Sequence, residues 1–80
     1  MRRIRDTFEV EIMGNFKQKA LVSVDFEARI GKSLVDAKIL QIYVFDKDLN
    51  IYRPLLEDLS IQQNLQLQQK AFELALDKSI

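Results

Sequence analysis

Eighty residues, with 12 Lys and Arg against 12 Asp and Glu and neither Cys nor His, make a neutral chain with room for one domain. That composition excludes disulfides, Cys/His metal sites, a thiol nucleophile and a side chain that titrates near neutrality, and zero net charge supplies no general field for nucleic acid or an anionic membrane. A chain this short hides only about 60–65% of its unfolded surface, which leaves oligomerisation as the remaining route to extra stability.

Period 2 governs the first half. Ile4, Phe8, Val10 and Ile12 alternate with Arg5, Thr7, Glu9 and Glu11, which predicts a strand over about 3–13 with one apolar face. A second strand over about 19–30 repeats the pattern, with Ala20, Val22, Val24, Phe26, Ala28 and Ile30 on one side and Leu21 the single apolar residue on the other. Opposed residues of an antiparallel pair share a face, so paired numbers must sum to an even value. A two-residue Gly14-Asn15 turn fails that test; an odd loop such as Gly14-Asn15-Phe16 satisfies it.

Gly31-Lys32-Ser33 makes the next turn, and 38–45 reads as a third strand. Leu40, Ile42 and Val44 share one of its faces while Ile39, Tyr43 and Phe45 occupy the other, so both sides call for cover. Asp46 to Asn50 is a turn cluster, a short fourth strand fits at 50–53, and Pro54 prevents pairing beyond it. Ser60 and Gln63 have capping-box spacing ahead of a helix over 61–78, about 27 Å long. On that helix Ile61, Phe72 and Leu76 fall within about 40° of Leu65, whereas Leu67 and Leu74 point the other way.

Three stretches imitate functional motifs. Asp46-Lys47-Asp48-Leu49-Asn50 with Glu57 has the ligand spacing of a calcium-binding EF-hand loop, but Ile51 stands where the loop needs Gly and a strand precedes it, so a solvated turn is the reading adopted. Gly31-Lys32-Ser33 ends like a phosphate-binding loop, yet Phe26 replaces the first Gly and strand follows. Arg2, Arg3 and Arg5 lie at the far end of the hairpin from Lys17 and Lys19, with Glu9, Glu11, Asp25 and Glu27 between them, a pattern that disfavours nucleic acid. Asp6 and Asp58 are the acidic groups nearest an apolar face, and strand-end and helix-start positions account for them. No apolar run reaches the roughly 18–20 residues of a membrane span, and no apolar signal core follows Met1-Arg2-Arg3, so a soluble, cytoplasmic protein is expected.

The segment Ile42-Tyr43-Val44-Phe45-Asp46-Lys47-Asp48-Leu49-Asn50-Ile51, then Leu59-Ser60, then Leu65 to Leu76, resembles an arrangement common among small bacteriophage-encoded proteins of unassigned function. Those proteins usually carry Gly in the acidic turn, and this chain does not. The resemblance implies a phage or mobile-element accessory protein that acts through contacts, and it transfers no catalytic residue.

The expectation is therefore one α+β domain over 1–80: an antiparallel sheet of three to four strands with one C-terminal helix across one face. Even-numbered strand residues with Ile61, Leu65, Phe72 and Leu76 are expected to form the core. Leu67, Leu74, Tyr43, Phe45 and Leu21 are expected to form a second surface, an interface for another copy of the chain. The function expected is non-enzymatic, without catalytic residues, cofactor or metal; the alternative is an inhibitor or regulator that offers the same surface to a host protein or nucleic acid.

Overall fold

A computed structural model describes residues 2–13, 18–56 and 58–79. Four strands, β1 (Arg2–Met13), β2 (Lys19–Ile30), β3 (Val35–Asp46) and β4 (Ile51–Pro54), precede one helix, α1 (Ile61–Lys78). The strands form a single sheet in the order β1-β2-β3-β4, every neighbour antiparallel, and α1 packs on one face.

Parity decides the first hairpin. Ile12 opposes Ala20, Val10 opposes Val22, Phe8 opposes Val24 and Ile4 opposes Ala28, so the apolar sets of β1 and β2 meet on one face as the even-sum rule requires. The last pair is Met13 with Lys19; the proposed Gly14-Asn15-Phe16 turn lies outside the described residues.

β3 departs from the expected strand in two ways. It begins at Val35 rather than residue 38, because Val35, Asp36 and Ala37 pair with Ile30, Arg29 and Ala28 despite the weak strand preference of Asp and Ala. It also contains a bulge: Asp25 opposes Gln41 but Phe26 opposes Ile39, leaving Leu40 as the extra residue. The bulge shifts the alternation by one, so Val35, Ala37 and Ile39 before it and Ile42 and Val44 after it all join the helix-side face. The expectation that Leu40 shares a face with Ile42 and Val44 is thereby corrected. Leu40 instead borders a depression with Arg5, Thr7 and Asp25 on the opposite side.

Asp46 organises the turn into β4. Its Oδ1 accepts from the backbone N–H of Asp48 (2.9 Å) and Leu49 (3.2 Å), and its Oδ2 faces Arg53 at 3.3 Å. Asn50 closes the turn at φ 56°, the left-handed region that Asn tolerates better than other non-glycine residues.

The helix starts where the capping spacing places it. Ser60 Oγ accepts from the Gln63 backbone N–H (3.1 Å) while Gln63 Oε1 accepts from the Ser60 backbone N–H (2.8 Å). Its C-terminal end is tied to β1: Arg2 Nη2 donates to Lys78 O (2.8 Å) and Lys78 Nζ meets Asp6 Oδ2 (2.7 Å).

The face that α1 buries is not the expected one. Leu67, Ala71 and Ala75 are fully buried and Leu74 packs against them, whereas Ile61, Leu65, Phe72 and Leu76 remain 79%, 62%, 39% and 41% exposed. The reason is volume. Phe8, Val22, Val24 and Phe26 already fill the sheet face, with the Phe8 and Phe26 rings tilted against each other at 5.7 Å between centroids. A helix can settle close to that surface only through small side chains, and Ala71 and Ala75, one turn and two turns beyond Leu67, are the only alanines it has. The wider stripe of large residues is turned away.

Truncation distinguishes the two faces. Leu67→Ala is expected to cost about 2–5 kcal/mol and Leu65→Ala under about 1 kcal/mol, measured by urea unfolding in dilute solution. Equal costs would contradict this seating of the helix.

Candidate docking surface

Because the alanine face is buried, Ile61, Leu65, Phe72 and Leu76 form an exposed apolar stripe along α1. Contiguous exposed apolar patches are a feature that protein–protein and ligand-binding surfaces share. From its N-terminal half the stripe leans towards β3, where Ile61, Leu65 and Gln68 line an open groove with Lys38, Ile39 and Ile42.

The far wall of that groove is a sheet edge. β4 pairs only with Tyr43 to Asp46, so among the described residues no strand pairs with the outer side of β3 from Val35 to Gln41. Unpaired edges are templates for another strand, and proteins blunt them with side chains. Here Ala37 carries both caps: its N–H donates to Asp36 Oδ1 (2.8 Å) and its carbonyl accepts from Gln68 Nε2 (2.7 Å). Asp36 also pairs with Arg29 across the β2–β3 turn. The guanidinium bond, and after it the Ala37 amide, holds the Asp36 carboxyl below its ordinary value.

The residues expected to form one second surface fall in two places. Leu67 and Leu74 lie between helix and sheet, inside the protomer rather than outside it. Tyr43, Phe45 and Leu21 are half-buried on the opposite side of the sheet, where Phe45 stacks on Tyr52 of β4 at 5.2 Å between centroids. Burial, then the Glu9 carboxylate, raises the Tyr52 phenol above its usual value. The exposed stripe and the β3 edge were missed by the expectation, the first because large side chains were assigned to the core and the second because the strand was started too late.

The imitated motifs dissolve into local structure. Asp46 spends its carboxylate on the turn and on Arg53, and Ile51 opens β4; Glu57 lies outside the described residues. The Gly31 N–H donates to Leu34 O (2.7 Å) within a turn between two strands. Arg2 is committed to the helix end, and Lys17 lies outside the described residues. Asp6 is neutralised by Lys78 at the open end of the helix, which lowers its carboxyl, and Asp58 is exposed. Among the described residues no group of three or more acidic, His or Cys side chains converges to hold a metal, and no helix is long and apolar enough to cross a membrane.

No family model, curated protein or solved structure matches this chain.

Acid tests the two carboxylates. Both Asp6 and Asp36 are lowered on folding, so their stabilisation is fully present above the unfolded value of about 3.9 and is lost as pH falls through the lower folded values. The thermal midpoint is expected to hold between about pH 7 and 5 and to fall below about pH 4, with a shallower fall in Asp6→Asn/Asp36→Asn. Parallel acid limbs in the two proteins would contradict these contacts.

Proposed function

We propose that this chain is a non-enzymatic protein-binding module that works as a homo-oligomer, docking through the outward stripe of α1. The observation that carries the reading is the 62% exposure of Leu65 in the middle of a helix whose Leu67, Ala71 and Ala75 are completely buried. A free helix face of this kind loses water-exposed apolar area only when a second surface covers it, at roughly 25 cal/mol per Å².

The chemistry of the chain supports binding over catalysis. It has neither His nor Cys, and its most perturbed carboxyls, Asp6 and Asp36, are bonded to basic side chains at the surface. The resemblance of residues 38–76 to small bacteriophage-encoded proteins supports an accessory role for a phage or mobile element, exercised in the host cytoplasm. A second reading, an inhibitor or regulator of a host protein, is favoured by the Phe45–Tyr52 pair beside Tyr43 on the other side of the sheet, since aromatic clusters anchor compact interfaces.

Solution mass discriminates. Wild type is expected to exceed the protomer mass by light scattering at high micromolar concentration, and Leu65→Asp/Phe72→Asp to return it to 9.4 kDa with an unchanged far-ultraviolet spectrum. A wild-type protein that stays at protomer mass, with binding abolished by Phe45→Ala instead, would favour the host-protein reading.

A further inference from the structure

We infer that the partner is a second copy of this chain, docked about one two-fold axis through Ala37 and Gln68 that joins the two β3 edges antiparallel and lays the two α1 stripes against each other. This rests on the self-association proposed above and specifies its geometry.

The edge has its own complementarity. When an edge strand pairs antiparallel with its own copy, the only free choice is the residue on the axis, and opposed residues share a face. An axis at Asp36 or Lys38 sets like charges against each other; one at Val35 sets Asp36 against Leu34 and Lys38 against Lys32, and one at Ile39 leaves Asp36 facing Ile42 and Lys38 facing Leu40. An axis at Ala37 places Asp36 opposite the other copy's Lys38, twice, on one face, and Val35 opposite Ile39, twice, on the helix side.

The helix carries an independent palindrome. Leu65 and Ile61 stand three and seven residues before Gln68, and Phe72 and Leu76 stand three and seven after Gln69. Two copies of α1 laid antiparallel therefore match Leu65 with Phe72 and Ile61 with Leu76, with the glutamines at the centre. The two centres lie beside each other, since Gln68 Nε2 reaches to 2.7 Å from Ala37 O. One axis serves both elements.

Docking leaves neither backbone group of Ala37 unmet. The Ala37 N–H and C=O exchange their side-chain caps for the Ala37 C=O and N–H of the other copy. The released Asp36 faces Lys38 of the other copy, and the released Gln68 lies between the two helices.

Charge reversal tests the register. Lys38 is exposed, so Lys38→Asp is expected to fold and to weaken self-association at least about tenfold; Asp36→Lys is expected to do the same, and an equimolar mixture of the two variants to recover a heterodimer. Since the chain has no Cys, Asp36→Cys mixed with Lys38→Cys is expected to form an intermolecular disulfide: opposed residues lie about 4.5–5.5 Å apart, within the range a disulfide spans. Either cysteine variant alone stays uncross-linked, its two copies being offset by two residues along the strands. An assembly that survives Lys38→Asp, gives no mixed cross-link and still dissociates in Leu65→Asp would overturn this axis while leaving self-association through the stripe intact. A monomeric wild type would overturn both.

Discussion

The closeness with which α1 approaches the sheet sets the rest of the molecule. Phe8, Val22, Val24 and Phe26 make the sheet face bulky, and only Leu67 followed by Ala71 and Ala75 gives the helix a surface shallow enough to meet it without a void or a clash. Once those three are inside, the rotation of the helix is settled, and Ile61, Leu65, Phe72 and Leu76 have nowhere to go but outward. Polar ties at both ends hold the same rotation: Gln63 Nε2 bonds Met13 O near the start, and Arg2 and Asp6 hold Lys78 near the finish. Packing in the core and surface chemistry outside it are thus two consequences of one choice of helix face.

Much of this fold is legible in the residues. Alternation in β1 and β2 reveals both strands and the parity of their pairing, and the Ser60–Gln63 capping box marks the first turn of the helix. The fourth strand follows from the turn chemistry of Asp46 to Asn50, although it runs through Pro54, and beyond it the Leu55 N–H still donates to Ile42 O (2.9 Å). These features are local, governed by neighbours within a few positions, and local signals survive in a sequence.

What is hidden depends on fit between distant parts. The apolar residues of β3 on both faces suggested a strand needing two covers, whereas one extra residue at Leu40 merges Ile39 with Ile42 and Val44 on a single face. Nothing short of the pairing with Phe26 reveals where that residue is inserted. On the helix, weighing side chains by size selects Ile61, Leu65, Phe72 and Leu76 for the core, but the cost of an underfilled or overfilled gap selects the alanines. The signal was present in the spacing of Leu67, Ala71 and Ala75 at intervals of four, and alanine has to be weighed as a packing residue for it to be read. The candidate docking surface was legible only as a surplus of apolar side chains, and its position follows from the same choice.

The most direct measurement is methyl relaxation by a soluble paramagnetic agent across a dilution series. In dilute solution the Leu65 and Leu76 methyls should broaden strongly while those of Leu67 stay protected, and concentration should progressively shield Leu65 and Leu76 without altering Leu67. Broadening of Leu67 to the same degree as Leu65 would contradict the seating of the helix on its alanine face, and with it the assignment of the outward stripe.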